Sequence, residues 1–442
     1  MTLTVGAATT VITPPIGTWL EGYGARTSGS VGIHDDLHAR AIVVDDGTTR
    51  AAFVSCDLIG VDRHQTAAVR ELVAAATDIP APHIMVAATH THAGPRAMHR
   101  QDDAPLRDVL SRTIAGAITQ AWRNREPAVL KAGSGSVDSV SLNRRDPAGP
   151  IDNVLHVILF DASRHTDAPI ASIVNFACHP TVLYHTNMEI SADYPGFALD
   201  TVTSVTGAPA SLFLNGACGD VNPAWIEQDF AEASRVGSIV GAEAGRRLQE
   251  LRPLGHEQRV WNIRWEELSP KAVASGDLIE PRVRVAQRDV RVRLRALDDP
   301  ATYTPRIAEL QHQLDALSPS DVEGRRRLKE QLTRQRVEQG VAAQIRAPNE
   351  LQAEVQAIAL GPGCAVLALP GEFFVETAQA IRRDAGLPHL LIACYSNHHL
   401  MYVVPRHEFA RGGYEPGVAM LDEDAEEAFR AAALDALREV GA

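Results

Sequence analysis

The chain has 442 residues, a formal net charge of −13, 45% hydrophobic residues and 22% charged residues. These proportions are ordinary for a soluble globular protein, and the length is enough to bury a large core. The acidic balance argues against a general nucleic-acid binder, and no apolar run is long enough to span a bilayer.

The N-terminus, Met1 to Val5, lacks the basic start and long apolar stretch of a secretory signal. Five cysteines, Cys56, Cys178, Cys218, Cys364 and Cys394, are widely spaced and form no Cys-x-x-Cys pair. They read as buried thiols of a cytoplasmic protein rather than a disulfide set or a zinc cage. Lys131, Lys271 and Lys329 are the only lysines among 42 basic residues. Such an arginine excess reads first as GC-rich codon usage and only second as anion recognition.

Short apolar runs predict strands over residues 4–13, 41–44, 51–55, 84–88, 154–159, 170–176, 211–214, 355–360 and 366–369. Helical spacing covers 63–77, 105–123, 230–251 and 423–440. The mixture predicts an α/β fold of layered sheets flanked by helices. Residues 304–346 are highly charged, with Ile307, Leu310, Leu314 and Leu317 at helical spacing, then Leu328, Leu332 and Val337 after Ser318-Pro319-Ser320. This predicts an inserted helical hairpin, which reads as a lid, an oligomerisation arm or a solvated surface insertion.

Five segments carry residues suited to chemistry. His90-Thr91-His92 follows the run 84–88, and alternate residues of an extended chain share a side. Taken alone, the pair reads as two loop histidines hydrogen-bonded to backbone. His179 precedes Pro180 at the end of an apolar run, which fixes its backbone. Glu372 follows Pro370-Gly371 and reads as the start of a helix, where a carboxylate favours the dipole. Facing inward beside Phe373 and Phe374, it would need a partner, and a metal would serve. Tyr402 and Tyr414 flank a stretch that reaches Gly412-Gly413, and read equally as ordinary amphipathic tyrosines. Gly216-Ala217-Cys218-Gly219-Asp220-Val221-Asn222 follows a strand and permits close approach of either a substrate or another stretch of backbone. It lacks the Gly-Lys-Ser/Thr ending of a phosphate loop.

Taken in order, these segments resemble the catalytic domain of the neutral/alkaline (non-lysosomal) ceramidase family. The resemblance runs from near residue 4 to near residue 420. It rests on Ile12-Thr13-Pro14-Pro15, Gly22-Tyr23-Gly24, Gly32-Ile33-His34-Asp35-Asp36-Leu37, Val54-Ser55-Cys56-Asp57 and Thr89-His90-Thr91-His92-Ala93-Gly94-Pro95. Asn143-Arg144, His179-Pro180, Gly219-Asp220-Val221 and Pro370-Gly371-Glu372-Phe373 continue it. It implies a single ceramidase-like catalytic domain over residues 1–442, with the 304–346 insertion within it and without the family's C-terminal β-sandwich.

The resemblance also implies one zinc ion per chain, with His90, His179, Glu372 and Tyr402 as ligands. His92 would lie beside the zinc-bound water, and Arg144 and Tyr414 would contact the scissile carbonyl. Gly219, Asp220 and Asn222 would contact substrate, Asn222 standing where the family typically has serine. The implied activity is hydrolysis of a small-molecule or N-acylated amide. The alternatives are a zinc esterase or lactonase on the same site, and a zinc-containing binding protein without turnover. A homo-oligomer is compatible with this reading.

Overall fold

The computed structural model describes residues 2–96, 104–163, 169–252, 257–261, 267–272, 277–344 and 349–441. Its centre is a pair of stacked sheets. The larger runs in the order Ser211–Asn215, Ala171–Phe176, Val154–Ala162, Glu126–Ser136, Thr4–Val11, His38–Asp45, Arg50–Cys56 and Ile84–Ala88, with Asp277–Ile279 added beside Glu126–Ser136. The smaller runs Arg284–Arg293, Glu350–Gly361, Cys364–Ala368, His389–Ala393. Ile84–Ala88, Ala171–Phe176, Ser211–Asn215, Cys364–Ala368 and His389–Ala393 are buried along their whole length, so they read as continuous apolar runs rather than alternating ones.

Side chains from both inner faces make one core. Phe53, Met85, Ile158, Phe160 and Leu212 of the larger sheet meet Ile358, Val366 and Leu391 of the smaller. Helices cover the outer faces. Arg63–Ala76 starts at Asp62, whose side chain accepts from the Gln65 N–H, and buries Val69 and Val73. Ala104–Arg123 buries Leu110, Ile114 and Ile118 beside it. Asp193–Thr206 and Phe230–Leu251 pack tightly, because a Cβ at Gly241 would lie 2.4 Å from the Ala198 carbonyl oxygen. On the far side, Ala425–Val440 lays Phe429, Ala433 and Leu437 on the smaller sheet. The architecture is therefore helix–sheet–sheet–helix, the layered α/β arrangement expected.

The helical hairpin is present as Pro300–Ala316 and Val322–Gln344, starting a turn earlier than the apolar spacing suggested because Asp299 caps it and Pro300 opens it. Residues 345–346 of the expected insertion lie outside the described residues. The hairpin is not only solvated surface: Val337 packs with Phe374, Tyr402 and Val418.

Glu372 does not begin a helix. It lies in the two-residue strand Glu372–Phe373, and the helix starts at Val375. The reason is a parallel pairing with Tyr402–Val403, in which Glu372 stands opposite Tyr402 and its N–H bonds the Met401 carbonyl at 2.8 Å.

Candidate active site

The site forms where strands from both sheets end. His90 follows Ile84–Ala88, and His179 follows Ala171–Phe176. Gly219 and Asp220 follow Ser211–Asn215, Glu372 follows Cys364–Ala368, and Tyr402 lies beyond His389–Ala393. Carboxyl ends of parallel strands are where open sheets place their ligands. The loop after His389–Ala393 joins the two sheets, since Asn397 both donates to the Val86 carbonyl and accepts from the Val86 N–H. The non-glycine residues at positive φ, His90, Asp193, Tyr395, Asn397 and Met401, belong to this region or its walls. Such strain concentrates where a site dictates backbone geometry.

Three imidazoles converge. The Nε2 atoms of His90 and His179 are 3.1 Å apart, and that of His92 is 3.3 and 3.2 Å from them. The Nδ1 of His90 lies 2.6 Å from the Ile59 carbonyl and that of His179 lies 3.1 Å from the Cys218 carbonyl. A carbonyl only accepts, so each Nδ1 carries the proton and each Nε2 presents a lone pair. Burial holds all three rings below the usual imidazole range, for His92 reinforced by His90 and His179. Buried lone pairs aimed at one another repel unless a cation lies between them. Nitrogens held at Zn–N distances of about 2.0–2.1 Å around a tetrahedral ion sit about 3.3 Å apart, so the 3.1 Å between His90 and His179 fits two ligands of one zinc ion.

Glu372 completes the cluster. Among the described residues its buried Oε2 has no hydrogen-bond partner, and it lies 3.5 Å from His90 Nε2 and 3.8 Å from His179 Nε2. Tyr402 is also buried, and its hydroxyl accepts from Arg144 Nη2 at 2.9 Å. Burial and the nearby Glu372 carboxylate push that phenol well above its usual pKa, against the guanidinium. His92 stands apart in one respect: among the described residues its Nδ1 has no partner, so no carbonyl there fixes its tautomer. Its ring is held instead by shape, with Tyr23 at 5.0 Å between ring centroids and Gly22 so close that a Cβ there would fall 2.5 Å from Nδ1.

Arg144 gathers several of the remaining predicted residues. Its Nε donates to Glu415 Oε1 at 2.8 Å, Nη1 to Asn222 Oδ1 at 3.1 Å, and Nη2 to the Gly219 carbonyl at 2.6 Å. Tyr414 is 58% exposed, and its ring centroid lies 5.8 Å from that of Tyr402. The Asp220 carboxylate is taken up by the fold: Oδ2 accepts from Asn143 and Oδ1 from the Val375 N–H, which caps the following helix. Gly219 serves backbone packing, since a Cβ would lie 2.9 Å from the carbonyl oxygens of Glu372 and Phe373.

Two further residues belong to the cluster. Tyr395 stacks on His90 at 3.9 Å and 19°, and its hydroxyl lies 3.1 Å from Cys218 Sγ. His399 Nε2 is 3.3 Å from Glu372 Oε1. The sequence signal for His399 was the histidine doublet three residues before Tyr402.

The fold and this cluster together define a mixed α/β protein with a buried histidine–carboxylate cluster whose three imidazoles could hold a metal ion. Residues 3–223 match the family described as neutral/alkaline non-lysosomal ceramidase, N-terminal, and the chain belongs to that family. Neutral ceramidase B of Dictyostelium discoideum is 28% identical over 206 residues, an alignment spanning 40% of this chain and 28% of that protein. The neutral ceramidase structure from Pseudomonas aeruginosa superposes with a TM-score of 0.73 at 20% identity, covering 99% of this chain and 74% of that one. A ceramidase complexed with C2 superposes with a TM-score of 0.69 at 18% identity, covering 99% and 76%.

Proposed function

We propose that the chain is a zinc-dependent hydrolase that cleaves the C–N bond of an N-acylated amide by a metal-activated water. The observation carrying this reading is the convergence of three buried Nε2 atoms within 3.1–3.3 Å beside the unpartnered Oε2 of Glu372. Family membership supplies the reaction class.

In this reading His90, His179, Glu372 and Tyr402 hold one ion per chain. When bound, zinc polarises a carbonyl and brings the pKa of water towards neutrality. The two Nδ1–H contacts to the Ile59 and Cys218 carbonyls orient His90 and His179 and keep their inner nitrogens free. His92 keeps its own Nδ1 uncommitted and takes the proton to the leaving amine. Arg144, anchored on Gly219 and Asn222, and Tyr414 face the oxygen on which negative charge grows. Asn222 acts through Arg144, and Gly219 and Asp220 hold the backbone around Glu372 and Val375. The five free, buried cysteines favour a reducing compartment, so the proposal places the protein in the cytoplasm.

Metal analysis of purified variants, together with a panel of N-acyl amides, tests the assignment. His90→Ala and His179→Ala should lose both zinc and hydrolysis. His92→Ala should keep zinc and lose most of the rate. A full equivalent of zinc on the His90→Ala protein overturns the ligand set.

A further inference from the structure

A cavity of ≈490 Å³ opens beside the cluster, lined by Arg144, Arg145 and the segment from Arg411 to Glu415. Arg144 and Tyr414 mark its inner end, since both contact Tyr402, the residue opposite Glu372. Among the described residues no aliphatic side chain lines it. An acyl chain placed here would strip water from guanidinium groups and give nothing back. The volume suits a small polar group.

The lining itself carries three guanidinium groups, Arg144, Arg145 and Arg411, and one carboxylate, Glu415. Glu415 accepts from Arg144 and from Arg145, and Glu408 accepts from Arg145 and Arg411. Two carboxylates are thus shared among three guanidinium groups. Asp146 has an oxygen 3.9 Å from Arg411 Nη2; both side chains are about half-exposed, so the pair is weak. Arg411 Nε and Nη2 make no hydrogen bond among the described residues. Gly413, at φ +105°, keeps the wall open, because a Cβ there would lie 2.8 Å from Arg145 Nη1. A positive pocket in a chain of net charge −13 is a selective feature rather than a general one.

We infer that this cavity is the subsite for an oxyanion, carboxylate or phosphate, carried on the amine half of the substrate, with Arg411 as its principal contact. Resting on the amide-hydrolase reading above, this makes the substrate class an anionic N-acyl amide, such as an N-acyl amino acid, rather than a neutral one. A planar guanidinium with free donors suits a carboxylate or phosphate better than an ammonium group would.

The test compares N-octanoylglycine, N-octanoylethanolamine phosphate and neutral N-octanoylethanolamine on the zinc-loaded protein. At least one anionic substrate should exceed the neutral one by about tenfold or more in kcat/KM, and which of the two leads identifies the oxyanion. Arg411→Gln should raise KM for the anionic substrates by about tenfold while leaving the neutral substrate unchanged. Equal or better turnover of the neutral amide, or an equal loss on all three substrates in Arg411→Gln, overturns the subsite. If none of the three is hydrolysed, the amide-hydrolase reading fails separately. Calorimetric binding of N-octanoylglycine then decides: loss of binding in Arg411→Gln upholds the subsite, and unchanged binding overturns it.

Discussion

Glu372 and Tyr402 stand directly opposite each other in a two-residue parallel pairing that brings a carboxylate and a phenol to the same buried centre. The pairing explains how residues separated by a helix and a strand arrive together: backbone hydrogen bonds set the register, and the side chains follow. Tyr402→Phe keeps the ring and the backbone while removing one oxygen. It should weaken zinc binding by about tenfold or more, by analogy with other losses at metal sites. Competition against a calibrated chelator measures this. Unchanged affinity would remove Tyr402 from the ligand set and leave it as a partner of Arg144.

His399 lies against the other oxygen of the same carboxylate, with Nε2 3.3 Å from Oε1 though outside hydrogen-bond geometry, leaving Oε2 to the His90 and His179 side. Such outer contacts orient a ligand and typically contribute about 10–100-fold in metal affinity. His399→Ala should therefore raise the zinc dissociation constant within that range, and His399→Gln, which keeps an N–H group in that position, should recover part of it. The same chelator competition reads both variants. Equal affinities in wild type and His399→Ala would reduce His399 to a packing residue.

Much of this site was legible in the sequence because its residues are tied to strand ends. His90, His179 and Glu372 each follow a short apolar run, and apolar runs are what periodicity detects. The misses have physical causes. Glu126–Ser136 is a central strand that carries Gly133, Gly135 and a fully buried Lys131, whose ammonium donates to the Leu251 and Arg252 carbonyls. Tertiary partners overrode its composition. Glu372 looked like a helix start, but its extended conformation is set by Tyr402 thirty residues later (402 − 372 = 30), a pairing that no local pattern encodes. The choice between substrate and backbone at Gly219 was open for the same reason, and the Glu372 and Phe373 carbonyls fill that space.

His156 makes stability depend on pH. It is 6% exposed with no partner on either ring nitrogen, and burial, aided by Arg382 and His389, pushes its pKa down to about 3. The unfolded chain binds this proton near 6.5, so the unfolded state holds more protons as pH falls below that value. Stability from this residue is full above pH 6.5 and is lost as pH falls towards 3. Between pH 7 and pH 5 the loss is about 2 kcal/mol. Denaturant unfolding of wild type and His156→Met at both pH values isolates the effect, because the other buried histidines are common to both proteins. The variant should lose about 2 kcal/mol less over that interval; parallel pH dependences would show that His156 does not carry it.

The inserted hairpin reaches the site through Val337, which packs with Tyr402, Phe374 and Val418 and lies 4.0 Å from the place a Cβ would take on Gly417. Gly417 belongs to Tyr414–Val418, the short helix that presents Tyr414. Arg295 secures the end of that helix by donating to the Pro416, Gly417 and Ala419 carbonyls. The hairpin thus supports the wall that carries Tyr414, whatever else its exposed face does. Val337→Asp puts a charge in a half-buried apolar contact and should loosen this wall, with a local cost of about 1–3 kcal/mol. kcat/KM should fall about tenfold, and zinc should stay bound because His90, His179 and Glu372 lie on other elements, with affinity weakened by no more than the about tenfold expected for losing Tyr402. Loss of zinc together with activity would mean that the hairpin holds the metal ligands themselves, and unchanged activity would mean that Tyr414 is positioned without it.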